Sequence, residues 1–174
     1  MQHKFNKLKP TAYIIGSRLS SIILTACLLV MGCNINNTKP PIATLAFRLK
    51  PGQLLKETIQ QKVNEKQIKA GWISTSVGSL TQYNIRFANM PNGNKNRGHF
   101  EILSLSGTVS INGSHLHIAV SDSTGKTIGG HLLDSNIIYT TAEIVILYDT
   151  SIQFNRAKDG TTPWPELQIE PTIK

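Results

Sequence analysis

The stretch that decides the fold is residues 98–143, GHFEILSLSGTVSINGSHLHIAVSDSTGKTIGGHLLDSNIIYTTAE. It holds two alternating apolar runs, 103–111 and 116–120, with Asn112-Gly113 between them. Asn-Gly in such a place is a strong signal for a β-hairpin, because both residues accept a positive φ. A second turn at 122–125 predicts that the chain returns along a third strand.

Three of the five histidines fall in this stretch. His115 and His117 are two residues apart on the second predicted strand, so both imidazoles leave the same face. His131 follows Gly129-Gly130 on the next strand, where glycines let neighbouring backbone come close. Three neutral imidazoles with one open position are a known zinc arrangement, so the sequence predicts one divalent metal ion, preferably zinc, at these histidines. The alternative is three ordinary half-buried strand histidines.

Two carboxylates, Glu101 and Glu143, lie within apolar strand patterns. Either could hydrogen-bond a ligating histidine and fix its tautomer, or act as a general base. The simpler alternative, favoured for Glu101, is a structural carboxylate paired with Arg48 or Arg86. His99 could be a fourth ligand, but we favour an exposed residue at a strand edge.

The flanking sequence predicts one helix and further strands. Leu55, Ile59 and Val63 recur at helical spacing, which predicts an amphipathic helix over 53–68. Strands are predicted at 42–49, 72–77, 80–88, 137–148 and 167–169. The order predicts an α+β fold, in which the helix packs on one face of a curved, mainly antiparallel sheet.

The charge distribution gives no sign of a nucleic-acid surface. The 174 residues include 18 basic and 10 acidic side chains, a formal net charge of +8. Four of the basic residues precede Cys33, and those beyond it form no cluster. The hydrophobic content of 40% fits one domain plus extensions.

The first 33 residues are typical of a bacterial export signal. Positive charges within 1–18 precede an apolar run at 19–31, which suits a signal peptide and is short for a membrane span. Gly32-Cys33 resembles a lipobox, so we expect lipidation at Cys33 and anchoring of the exported protein to a membrane as a lipoprotein. Cys27, an uncleaved anchor and a wrongly assigned start are the alternatives. Residues 34–45 read as an extended tether.

Several separated motifs resemble the PPC domain, the plants and prokaryotes conserved domain. They are Arg48-Leu49, Pro51-Gly52, Ser76-Val77-Gly78-Ser79-Leu80, Gly98, Phe100-Glu101-Ile102-Leu103-Ser104-Leu105-Ser106-Gly107, His115-Leu116-His117, Gly129-Gly130-His131-Leu132 and Thr141-Ala142-Glu143. The resemblance covers residues 46–171. The organisation we expect is therefore a leader at 1–33, a tether at 34–45 and one PPC-like domain at 46–171.

The resemblance implies a compact homotrimer. It also implies subunit or partner contacts through the segment Gly98, His99, Phe100, Glu101, Ile102 and Leu103. Prokaryotic PPC proteins are similar at the three histidines, and a bound metal is associated with that set. Plant members lack the histidines and carry an AT-hook before the domain, whereas no Arg-Gly-Arg-Pro occurs here.

Two function classes stay open on this basis. The first is a metal-binding, oligomeric module that interacts with itself and with a small molecule or a protein. The second is a metal-dependent hydrolase or lyase acting on a small molecule. DNA binding, as in the plant relatives, is the weakest alternative, because the leader points out of the cytoplasm and no basic cluster follows it.

Overall fold

The structure, a computed structural model, describes residues 41–172. The export signal, Cys33 and most of the tether lie outside these residues and stay predictions. Within the described part, eight strands and one helix follow in the order β1 (Ile42–Leu49), α1 (Leu55–Glu65), β2 (Gly71–Arg86), β3 (Asn94–Ser110), β4 (Gly113–Ser121), β5 (Thr127–Leu132), β6 (Ile137–Asp149), β7 (Ile152–Ala157) and β8 (Glu166–Pro171).

The main sheet has six strands in the order β1-β6-β2-β3-β4-β5, and its neighbouring strands pair antiparallel. The end of β2 also pairs with β5, through Ile85 opposite Leu132 and Arg86 opposite His131. Strands β2, β3, β4 and β5 therefore close on one another at this end. β7 and β8 form a separate two-stranded sheet. The predicted α+β class, a mainly antiparallel sheet with one helix, is confirmed.

Helix α1 is shorter at both ends than predicted, and after its last residue, Glu65, the chain leaves the helical path at Gln67, which has a left-handed φ of 53°. The amide of Gln67 donates to Asn64 O (3.1 Å), and that of Ile68 donates to Val63 O (3.0 Å). This pair of bonds satisfies the last carbonyls of the helix. Among residues 41–172, no helix is long and apolar enough to cross a membrane.

The core lies between α1 and the inner face of the sheet. Leu55, Ile59 and Val63, the apolar stripe read from the sequence, are fully buried. Alternate residues of the strands meet them, including Leu116 and Ile118 of β4. Burying each such side chain stabilises the fold by roughly 1.5–3 kcal/mol, so this inner face fixes which strand residues point outward.

The predicted hairpin between β3 and β4 is present, but its turn differs from the expectation. Ser110 pairs with Gly113 across a two-residue loop, and only the glycine takes a positive φ, at 113°. Asn112 uses its side chain instead: Nδ2 donates to Phe154 O (3.1 Å) and to Asn155 Oδ1 (2.7 Å). The turn therefore also holds strand β7 against the sheet.

Candidate metal centre

The three predicted histidines converge on the outer face of β4 and β5. His117 lies directly opposite His131, and His115 is two residues earlier on the same face. The ring centroids are 5.1 Å apart for His115 and His117, 5.0 Å for His115 and His131, and 5.6 Å for His117 and His131. One ligand atom from each residue lies within 4.8 Å of the others, a spacing that can hold one metal ion.

Glycines allow this close approach. A Cβ on Gly130 would lie 2.5 Å from the carbonyl oxygen of Arg86, so β5 fits against β2 only with glycine there. A Cβ on Gly107 would lie 2.0 Å from the carbonyl oxygen of His115, and Gly107 has a φ of 130°. The backbone around the histidines is thus packed more tightly than any larger residue would allow.

The electrostatics favour the neutral forms of His131 and His115. Burial, followed by the charges of His115 and Arg86, lowers the pKa of His131 from 6.5 to about 4. Burial, followed by the charge of Arg156, also lowers the pKa of His115. Nδ1 of His131 is buried and has no hydrogen-bond partner within the described chain. Neutral imidazoles bind metals, and a ligand would satisfy an orphaned ring nitrogen, so these residues fit a metal ion.

A cross-strand row of polar side chains passes through the centre. From β3 to β2, the row runs through Ser106, His117, His131 and Arg86, each directly opposite the next. Thr108 lies opposite His115 on the same face. The row places two hydroxyls on one side of the histidines and a guanidinium on the other.

Beside this row is a cleft of about 320 Å³ whose second wall is the β7–β8 hairpin. Arg156 of β7 donates from Nη2 to Thr108 Oγ1 at 2.9 Å. Glu166 and Leu167 of β8 complete the wall. The lining residues are Ser106, Gly107, Thr108, His115, His117, Arg156, Glu166 and Leu167.

Glu101, Glu143 and His99 lie apart from the histidine cluster. Glu101 lies opposite Ser79 and Ser121, and Glu143 opposite Arg48 and Val77, with both carboxylates exposed. Between residues 41 and 172, neither carboxylate hydrogen-bonds a histidine or forms an ion pair with Arg48 or Arg86. The carboxylate that borders the cleft belongs to Glu166 instead.

The segment 98–103 alternates between the core and the outer surface. Phe100 and Ile102 are buried in the core, whereas Leu103 is 55% exposed. His99 is exposed, and its ring centroid lies 4.3 Å from that of Tyr139 on β6. Gly98 and Glu101 are also exposed. Four of the six residues are therefore available for contacts with another molecule.

Sequence reasoning missed Arg156 and Glu166. No motif marks them, and they reach the centre through a hairpin that begins 21 residues after His131. Asn112, already noted as a turn residue, was the available signal, because a polar side chain at a turn can hold a distant segment through hydrogen bonds.

Solved structures of prokaryotic proteins share this fold. A hypothetical protein from Salmonella is 34% identical with a TM-score of 0.75, covering 78% of this chain and 99% of its own. A protein from Archaeoglobus fulgidus, described as metal-containing, is 25% identical with a TM-score of 0.60, covering 72% and 93%. A plant- and prokaryote-conserved protein from Pyrococcus horikoshii, 24% identical with a TM-score of 0.58, agrees in fold and covers 72% and 93%.

Two curated relatives from Synechococcus strains, both called bifunctional protein GlmU, match by sequence. They are 40% identical over 125 residues and 42% identical over 124, or 72% and 71% of this chain. The chain spans about 20% of the length of each. The family model for the Plants and Prokaryotes Conserved (PCC) domain matches residues 37–148. The motif resemblance is thereby confirmed, and the chain belongs to the Plants and Prokaryotes Conserved domain family.

Proposed function

We propose that this protein is a metal-binding, oligomeric interaction or ligand-sensing module in which His115, His117 and His131 hold one divalent ion. The observation that carries the proposal is the convergence of three histidines from two strands, with ligand atoms within 4.8 Å of one another. The buried, unpartnered Nδ1 of His131 supports it, because an unsatisfied buried nitrogen is costly unless a ligand binds there. The metal-containing protein from Archaeoglobus fulgidus supports it as well.

Zinc suits this donor set. Imidazole nitrogens bind zinc readily, and three protein ligands leave a fourth position open. When bound, the ion would act as a Lewis acid at that position. The chain's own contribution is to hold the three rings in place through the β4–β5 pairing, and to border the open side with the hydroxyls of Ser106 and Thr108.

We also propose that the module is a homotrimer. The family resemblance implies it, and exposed apolar side chains on the outer side of the central strands support it. Val77 is 57% exposed, Leu103 55% and Tyr139 42%. A subunit neighbour would remove these side chains from water, and the segment 98–103 would then lie within the interface.

Metal content tests the metal proposal. Protein purified without chelator and supplied with zinc should hold about one zinc ion per chain by elemental analysis. Loss of a residue that only hydrogen-bonds a metal ligand typically weakens metal binding roughly 10–100-fold. His117→Ala removes a ligand itself, so it should weaken zinc binding by more than that. His99→Ala, which changes a histidine outside the cluster, is the matched control and should keep its zinc. Wild-type protein without stoichiometric metal would end the proposal.

A further inference from the structure

The β7–β8 hairpin brings the guanidinium of Arg156 to the cleft beside the histidines. This hairpin follows residues 37–148, the part of the chain that the family model matches. The hairpin is fixed in place rather than loosely apposed. Phe154 is only 8% exposed, and its amide donates to Lys69 O at 2.9 Å. Arg156 follows two residues later and donates to Thr108 Oγ1. Within residues 41–172 this is its one side-chain hydrogen bond, so most of its N–H groups can serve a ligand.

With a divalent ion bound, the cleft would be electropositive on balance, because its charged lining residues, Arg156 and Glu166, offset each other. The charge of Arg156 acts on His115 and that of Arg86 acts on His131, whereas Lys56, whose charge also acts on His131, is paired with Asp134 at 3.0 Å. Glu166 is the acidic side chain whose charge opposes them at His115, and its Oε1 already accepts a hydrogen bond from the Thr162 hydroxyl. Three neutral histidines would not cancel the charge of a divalent ion, so an anion is the ligand that this cleft would stabilise most.

We propose that the cleft between His115, His117 and the β7–β8 hairpin is a binding site for a small carboxylate, which Arg156 recognises while the open metal position takes a carboxylate oxygen. The inference rests on the proposed metal function. Arginine suits this role because its planar fork matches a carboxylate. The volume of about 320 Å³ admits a molecule of a few heavy atoms. Glu166 in the wall disfavours a second negative charge, so a monoanion fits better than a dianion.

Cobalt-loaded protein gives a readout that does not depend on activity, because the visible spectrum of cobalt reports its ligands. Acetate is titrated, in a non-coordinating buffer, into wild-type protein, Arg156→Gln and Lys158→Gln. Acetate should change the wild-type spectrum saturably. Arg156→Gln should weaken acetate binding about tenfold or more, since it removes a hydrogen bond between charged groups. Lys158→Gln, which removes the same charge from an exposed position of the hairpin, should leave acetate affinity unchanged.

Two further arms separate the possible failures. Arg156→Lys keeps the positive charge but lacks the planar guanidinium, so it should bind acetate with an affinity between those of wild type and Arg156→Gln. This result would show that the weaker binding of Arg156→Gln does not come from a disturbed hairpin. Sulfate, a dianion, should bind more weakly than acetate. Equal acetate affinity in wild type and Arg156→Gln, no acetate response in cobalt-loaded wild type, or tighter binding of sulfate would each overturn the carboxylate site alone. Failure of wild-type protein to take up cobalt would overturn the metal proposal, and the carboxylate site with it.

Discussion

His131 differs from the other two histidines in how its ring is enclosed. It sits between β4 and β2, opposite His117 on one side and Arg86 on the other, whereas His115 and His117 are exposed. Burial and the neighbouring positive charges both disfavour its protonated form, which lowers its pKa to about 4. The same position makes it ready to bind a metal at neutral pH and costly to protonate in the folded protein.

This asymmetry predicts how pH acts on the metal-free protein. Between pH 6.5 and about 4, the unfolded chain binds a proton at His131 that the folded chain does not. The free energy of unfolding therefore rises with pH over this window. The stability that neutral His131 contributes is fully present above pH 6.5 and is lost as the pH falls towards 4. Urea unfolding should show a lower free energy of unfolding at pH 5 than at pH 7 in wild-type protein, and the difference should be smaller in His131→Asn.

His99→Asn is the control for that comparison, because it removes an exposed histidine outside the cluster. It should lose as much stability between pH 7 and pH 5 as wild-type protein. An equal pH-dependent loss in wild type and His131→Asn would contradict the assignment of the effect to His131.

The meeting of the histidines could be predicted at the residue scale, but their surroundings could not. The two-residue spacing of His115 and His117 and the following Gly-Gly were enough to expect one site, because strand periodicity is strict. Arg156 could not be found this way. Its position depends on the β7–β8 hairpin folding back over Thr108, a contact 48 residues apart in sequence.

At the scale of elements, β5 decides whether the centre forms. This short strand pairs with β4 along its length and touches β2 at only two positions, Ile85 and Arg86. Asn136, fully buried, fastens the following turn: its Oδ1 accepts from the amide of Asn84 at 2.7 Å. The strand is thus held at both edges, which fixes the direction in which His131 leaves the sheet.

Gly130→Ala tests this arrangement. Its new Cβ would lie 2.5 Å from Arg86 O and 3.1 Å from Ile85 Cγ2, so β5 would have to move away from β2. We expect a loss of about 1–3 kcal/mol in the free energy of unfolding, the usual cost of overpacking, together with weaker zinc binding. Thr127→Ala, at an exposed position of the same strand, should change both quantities little. Urea denaturation and zinc titration measure them, and unchanged zinc affinity in Gly130→Ala would contradict the role given to β5.

The β3–β4 turn and the C-terminal end of α1 were predicted from sequence in kind but not in detail. The Asn112-Gly113 signal predicted a hairpin, and the hairpin exists, but the loop is formed one residue earlier because Gly113 pairs with Ser110. The helix ends at Glu65 and Gln67 follows in a left-handed conformation, for which glycine is the usual residue. In both cases a tertiary contact decides: the Asn112 side chain binds β7, and Ile68 buries itself in the core behind the helix end.

At the scale of the molecule, one face of the central strands is covered by α1, whereas the other is covered only in part, by the β7–β8 hairpin over Thr108. Runs such as 144–148 alternate only weakly between apolar and polar residues, a pattern typical of strands that are buried on both faces, by a helix or by a subunit neighbour. Val77 and Leu103 lie on neighbouring strands, β2 and β3, and both are more than half exposed. Apolar side chains placed together in the middle of a sheet face favour a subunit interface.

We therefore expect the domain without its leader to be a trimer by light scattering, and Leu103→Glu to dissociate it. A glutamate at this position would carry its charge into the interface, and burying an unpaired charge costs several kcal/mol. Ile169→Glu is the matched control, because Ile169 is 62% exposed but lies on β8, away from the central strands. Neither side chain is buried within one chain, so both variants should fold. A wild-type protein that is a stable monomer, or a Leu103→Glu variant that remains a trimer, would contradict an interface on this face.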